Sequence, residues 1–398
     1  MKVELKQMQK VYSKEPMPDK ITKSIFLAGG TYRNDKLKPL SWRFEALDIL
    51  KKLNYTGTVY IPEDRDGYFD KSRLEEQIQW ERTCCKAADI IVFWIPRELR
   101  PDYEMLCLTT NVEFGLYLDT HKLFIGSPKE AVMNEYLQFI SKHEYKWYDS
   151  LGELLKDVVD YLGDGVERTG VECKIPKMIF ESKQFQNWYQ SQLSSGNYLT
   201  DYETLYSFVM PKAKKLFMTM FKPNVYVKDE NRVKDIEFVV ARSNMSYTLA
   251  YYRPNDNLLD TEIVLVKEFR SPVSNKDSFV YELPGGSSID DSEDELEVAS
   301  QELKEEIGLE VSPSRIKYIT ELQSSATLCS HKISLYKVEL TKDEIDSLKF
   351  DADNKITHGN IEDTEKTYTV IANYNQLLNG DYPLDFTNLG MISVALRN

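Results

Sequence analysis

Three glutamates, Glu302, Glu305 and Glu306, stand at positions i, i+3 and i+4 within the stretch Glu282–Leu309, ELPGGSSIDDSEDELEVASQELKEEIGL. A helix over Asp294–Ile307 stacks them within one turn, where like charges repel. Hard divalent cations such as Mg²⁺ offset that repulsion, because they take carboxylate oxygens and keep waters for substrate phosphates. Leu296, Ala299, Leu303 and Ile307 recur at spacings of three and four and give the same helix an apolar stripe. Gly285 and Gly286 allow a loop to lie close against it, and Gly308 supplies a stop. The plain alternative is a solvated glutamate-rich helix with no ligand.

As one string, the segment resembles the signature of the Nudix hydrolases: a glycine, a glutamate, then R-E-U-x-E-E-x-G-U with U aliphatic. The tail here reads Gln301-Glu302-Leu303-Lys304-Glu305-Glu306-Ile307-Gly308-Leu309 after Glu293, and the Glu-Leu-Pro-Gly-Gly prefix is also similar. Two departures stand out. The loop from Gly286 to Glu293 is one residue longer than usual, and Gln301 replaces the arginine that steadies the first glutamate. Glutamine can hydrogen-bond there but cannot ion-pair.

The resemblance implies an α/β/α fold with a mixed sheet, and Mg²⁺ (or Mn²⁺) held by Glu302, Glu305 and Glu306, with Glu305 also in the catalytic set. It implies hydrolysis of a nucleoside diphosphate linked to another group. Val264–Arg270 (VLVKEFR), running into Ser271-Pro272, is most similar to the ADP-ribose and nucleotide-sugar pyrophosphatase branch. That branch implies substrate contacts from Arg270 and Gly286 and a glutamate base on a late loop. Glu362 and Glu365 are its positional candidates, with a polar surface loop as the alternative.

A second constellation lies near the other end. Leu27–Thr31 (LAGGT) ends an apolar run with Gly29, Gly30 and Thr31, the place where α/β sheets bind ligands. Trp42-Arg43, Ile61-Pro62-Glu63, Gln79-Trp80-Glu81, Ala88-Asp89 and Thr109–Gly115 (TTNVEFG) follow. In this order they resemble the nucleoside 2-deoxyribosyltransferase-like family. The resemblance implies that Glu113, in an E-x-G element with Gly115, attacks an anomeric carbon to form a glycosyl ester. A second carboxyl acts on the leaving base, with Glu81 the first candidate and Asp89 the next. Two bland alternatives remain open: Thr110-x-x-Glu113 is also a helix capping box, and Asp89 at a strand start can merely satisfy a turn.

The elements around these residues set the architecture. In residues 1–165, apolar strands at Ser24–Ala28, Thr58–Ile61, Asp89–Ile95 and Lys122–Gly126 alternate with helical stretches at Ser41–Leu53, Lys71–Ala88, Thr110–Leu118 and Lys129–Lys142. That alternation predicts an α/β fold, a Rossmann-like parallel sheet with flanking helices. Residues 166–234 form an aromatic-rich bridge, expected to belong with the second domain, with helices over Phe180–Leu193 and Tyr202–Phe221. Residues 235–398 turn to β-type runs at Ile236–Ala241, Tyr247–Tyr252, Glu262–Phe269 and Lys332–Leu340 around the acidic helix, the expected Nudix domain.

Composition narrows the partners. Acidic residues outnumber basic ones, 64 to 50, and a net charge of -14 repels long nucleic acid. A small nucleotide is still admitted, because a bound cation inverts the local field. No apolar run reaches membrane-spanning length, and the charged opening segment is no secretory signal. Five cysteines without a C-x-x-C pair read as reduced thiols of a cytoplasmic protein. The expectation is therefore a bifunctional nucleotide enzyme with small-molecule substrates, whose oligomeric state is open. Its rival is a sensor in which the first domain binds a nucleotide without turnover and regulates the second.

Overall fold

Ile90–Trp94 is buried at every position, as a strand must be when helices cover both faces of its sheet. The structure is a computed structural model describing residues 7–31, 41–65, 71–100, 103–210, 215–276, 278–287, 294–359 and 365–398. It divides into two compact units, 1–239 and 240–398.

The first unit holds a six-stranded sheet of β1 (Gln9–Tyr12), β2 (Ser24–Gly29), β3 (Thr58–Ile61), β4 (Ile90–Trp94), β5 (Leu123–Gly126) and β6 (Trp147–Tyr148). The strands lie in the order β1-β3-β2-β4-β5-β6, all parallel. Side-chain alternation sorts the core onto two faces. Ile25 and Leu27 pack with α1 (Trp42–Lys52) and α5 (Leu151–Leu162). Phe26 and Ala28 pack with α2 (Leu74–Ala87), α3 (Leu108–Tyr117) and α4 (Glu135–Ser141). β1 lies in a segment that its charges had marked only as non-secretory. Among the described residues no helix is long and apolar enough to cross a membrane, and the five cysteines are free thiols.

Two expectations for residues 166–234 are overturned. Tyr202–Phe221 is not helical: Tyr198–Met210 (β7) and Lys215–Val227 (β8) form an antiparallel hairpin. Tyr202, Thr204, Tyr206 and Phe208 alternate in a strand's period of two, and Pro223 would break a helix running on past Phe221. The segment also groups with the first unit, not the second. Arg168 and Thr169 pair with Ile21 and Lys20, and the Lys86 ammonium lies 2.5 Å from the Glu203 carboxylate. The helix expected over Phe180–Leu193 is α6 (Lys183–Ser194), whose Phe185 packs edge-on against Tyr202 and Phe221.

The second unit is built on an eight-stranded mixed sheet. β9 (Met245–Tyr252), β10 (Glu262–Phe269), β11 (Phe279–Glu282) and β12 (Gly285–Gly286) precede α7 (Glu295–Ile307). β13 (Lys317–Gln323), β14 (Lys332–Glu339), α8 (Lys342–Asp353), β15 (Thr357–His358), β16 (Thr367–Asn373), α9 (Tyr374–Asn379) and α10 (Phe386–Arg397) follow. The main path is β13-β14-β9-β10-β16-β15, with β11 beside β10 and β12 beside β9. The β9–β14 pair is parallel, whereas β10 pairs antiparallel with β9, β11 and β16. Val264 and Val266 face α7 and α8, while Ile263 and Leu265 face α9 and α10. This is the expected α/β/α layering. α7 begins at the N-cap Asp294, whose carboxylate accepts from Leu296 N–H, and ends at Gly308 with φ 69°.

One buried pair locks the first unit. Arg168 donates to both oxygens of Asp89 at 2.7 Å, and their side chains are 0% and 2% exposed. Asp89 also accepts from the backbone N–H groups of Ser24 and Lys177. We expect Arg168→Ala, which strands that buried charge, to cost about 3–5 kcal/mol. Urea unfolding measures it, and a loss below about 1 kcal/mol would show that the pair is no anchor.

Candidate functional site

In the first unit β2 and β4 are neighbours, yet the connections leaving them run to opposite sides, which opens a crevice at their carboxyl ends. Gly29 and Gly30 stand there. A Cβ on Gly29, at φ 139°, would overlap the Trp94 carbonyl of the neighbouring strand, so only glycine fits. Arg43, 2% exposed, fastens this loop: its guanidinium donates to the Leu27 and Gly29 carbonyls at 2.9 Å and to Thr31 Oγ1 at 3.2 Å. Trp42 Nε1 donates to Gly30 O, and Glu63 Oε1, 2.7 Å from Arg43, supplies the countercharge. The sequence reading named Arg43 and Glu63 only as marks of resemblance; their structural role is to hold the glycine turn.

Glu113 lies half-buried inside α3. The helix starts from Cys107, in a left-handed conformation with no side-chain cap, and Thr110 is buried within the first turn. The capping-box alternative is therefore not what the structure builds. Burial and then the Glu113 carboxylate push the Cys85 thiol well up, with a smaller push from Glu81. Both carboxylates thus act on one buried thiol of α2. Gln77, one turn before Glu81 on α2, donates to its Oε1 at 2.9 Å. Asp89 is elsewhere: it precedes β4 at the amino edge, with both oxygens engaged by Arg168. This geometry removes it from the acid candidates and makes it a structural anchor.

In the second unit the acidic helix lies against the short strand β12, Gly285–Gly286. Gly285 N–H donates to Glu306 Oε2 at 2.8 Å, and a Cβ on Gly286 would overlap the Glu302 carboxylate. Glu306 is 3% exposed, Glu302 half-buried and Glu305 exposed. The expected trio is therefore split. Glu305 accepts from Gln301 Nε2 at 2.7 Å on the outer side of the helix. Gln301 thus serves Glu305, and Glu293 and Glu362 lie outside the described residues.

Other elements fill the place. Carboxylate oxygens of Glu268 (β10), Glu306 (α7) and Glu365 all lie within 4.8 Å of one another. Arg270 sits among them, its NH2 2.8 Å from Glu268, 3.3 Å from Glu282 and 4.0 Å from Glu365. Burial, with Glu365 and Glu282 nearby and Arg270 opposing, pushes Glu268 up to about 7. Burial and the charges of Glu305 and Glu365 push Glu302 up to about 7 as well. Glu306 is driven well above the ordinary range by burial and Glu302. Such clustered, poorly neutralised oxygen donors fit a hard divalent cation. Sequence reasoning missed Glu268 and Glu282. Their signals were present, one in VLVKEFR and the other opening ELPGG.

Residues 22–131 match the family model described as "Nucleoside 2-deoxyribosyltransferase like". No curated protein matches the chain. A solved structure described as "Crystal structure of ADP compounds hydrolase" is similar over 50% of this chain and 92% of that chain, at 15% identity. Its TM-score of 0.34 makes that likeness too distant to carry fold or function. The first unit therefore contains a nucleoside 2-deoxyribosyltransferase-like domain spanning residues 22–131.

Proposed function

We propose that the chain is a nucleotide-processing enzyme with two chemistries, a Nudix-type hydrolysis of an ADP-ribose-like nucleoside diphosphate in the second unit and N-glycosidic cleavage or transfer in the first. The observation that carries the reading is the carboxylate cluster around Glu306, which packs against the strand Gly285–Gly286 from the helix whose sequence resembles the Nudix signature. The match of residues 22–131 supports the other half.

In the second unit Glu302, Glu306 and their neighbours would hold Mg²⁺ or Mn²⁺. Such an ion polarises the diphosphate and lowers the pKa of an attacking water. Arg270 is placed to neutralise a phosphate oxygen once it leaves its carboxylate partners. Glu365 is the described base candidate: one of its carboxylate oxygens stays outside the carboxylate cluster and would take the water's proton as the P–O bond breaks. In the first unit Glu113 attacks the anomeric carbon while the base departs with its bonding electrons and takes a proton from Glu81. Water or a second base then releases the pentose from the glutamyl ester.

A panel of ADP-ribose, NAD, nucleoside triphosphates and deoxynucleosides with Mg²⁺, resolved by mass spectrometry, tests both halves. Glu306→Gln should lower diphosphate hydrolysis by about 100-fold; near-full activity at saturating Mg²⁺ would sink the Nudix-type half. Glu113→Ala should abolish base release while sparing hydrolysis, and chelator should leave base release intact. A slowed substrate should leave a pentosyl mass on the Glu113 peptide, and an adduct on any other peptide refutes the mechanism.

The raised carboxyls also set a pH dependence. The folded chain keeps protons on Glu268 and Glu302 through the window from 4.5 to about 7, where the unfolded chain releases them. Their contribution to stability is therefore present at acid pH and lost as pH rises through that window. With metal chelated, the wild type should lose melting temperature across it relative to a Glu268→Gln/Glu302→Gln variant, and Mg²⁺ should restore it. Parallel curves for the two proteins would contradict the assignment.

A further inference from the structure

β10 is an interior strand, paired on both sides, whose Ile263–Val266 run is wholly buried. Its alternation puts Val264, Val266 and Glu268 on the face that meets α7. An acidic side chain in that row, 7% exposed, costs free energy unless its oxygens are satisfied. They are not fully satisfied. Arg270 approaches Oε2 to 2.8 Å, but that oxygen accepts no hydrogen bond. On its other side stand Glu306 and Glu365, further negative charge, with oxygens within 4.8 Å.

We propose that Glu268 is itself a ligand of a divalent cation, so that strand β10 shares the ion with Glu306 of α7 and Glu365 ahead of β16. The proposal rests on reading α7 as a cation-binding helix, and adds a ligand that the helix motif does not contain. A cation here gives the unsatisfied oxygen a partner and turns repulsion among three carboxylates into shared coordination. It also ties the sheet to the helix across the cleft. Arg270 holds the negative charge of Glu268 until the cation takes it, and is then released toward substrate.

Mn²⁺ binding to the full chain, followed by electron paramagnetic resonance and calorimetry without nucleotide, tests this independently of turnover. Glu268→Gln should weaken Mn²⁺ affinity by about tenfold or more. Glu262→Gln, on the same strand but paired with Lys349 at 2.7 Å, should leave it unchanged. If Glu268→Gln does not fold, Glu268→Asp gives the readout, since a carboxylate drawn back by one methylene should also bind more weakly. Loss of binding in Glu306→Gln with wild-type affinity in the Glu268 variant overturns this proposal and leaves the Nudix-type reading standing. Wild-type affinity in both variants removes the cation site altogether. Weakened binding in both, even with no nucleotide hydrolysed, supports Glu268 as a ligand.

Discussion

Like charge held together in a dry place is the constraint around which the second unit is arranged. Glu268, Glu302 and Glu306 are all pushed toward their protonated forms, chiefly by burial. Charges this close in low dielectric destabilise a fold unless something compensates. Among the described residues the compensation is small: one guanidinium, Arg270, and one backbone N–H, Gly285. The surrounding construction supplies the rest of the rigidity. Leu303 and Ile307 are fully buried against Val264 and Val266, so the helix cannot rotate its carboxylates out to water without exposing its apolar stripe. Hydrophobic burial thus holds an electrostatically unfavourable site in place. A site held under such tension is suited to a positive ligand.

What was legible in the sequence was local. The bounds of α7, its apolar stripe and its glycine stop follow from spacing within one helix, and the structure places Asp294 as N-cap and Gly308 as C-cap. Four of the six strands of the first sheet were likewise legible as short unbroken apolar runs. What escaped reading depended on register between distant segments. Glu268 and Glu282 reach the cluster because β10 pairs with β11, placing Val266 opposite Glu282. No spacing along the chain announces that. The hairpin of β7 and β8 escaped for a related reason. Its apolar residues satisfy a helical count locally, while the pairing of Tyr202 with Pro223 and Thr204 with Phe221 is a long-range fact. Glu305 shows what spacing leaves open: i, i+3, i+4 puts it beside Glu302, but its exposed carboxylate accepts from Gln301, a pairing that spacing does not announce.

The first unit separates residue type from residue place. Asp89 and Glu113 are both carboxylates near the central strand, and both fit a catalytic role by sequence. Asp89 lies at the amino edge with its oxygens consumed by Arg168, Ser24 and Lys177. Such a group is paired and enclosed, which serves architecture. Glu113 lies on the helix that follows the carboxyl end of β4, half-buried and inside the helix. In a parallel sheet the two edges are chemically unlike, because the crevice opens only at the carboxyl ends.

Glycine performs the same task in both units. Gly29 permits one strand end to approach the Trp94 carbonyl, and Gly286 permits strand β12 to approach the Glu302 carboxylate. In each case an added carbon would crowd two neighbouring elements, against a fixed backbone carbonyl at Gly29 and against the movable end of a side chain at Gly286. At Gly29 these are the β2 loop, fastened by Arg43, and the strand leading toward Glu113. At Gly286 they are β12 and the acidic helix. Close approach is a fold property, since it sets strand spacing and helix docking. It is also a site property, since it sets how near a ligand's oxygens and the protein's carboxylates can come. At Gly29 folding and ligand geometry are therefore governed by the same atoms, whereas at Gly286 the Glu302 side chain can move aside and a substitution acts first on the carboxylate.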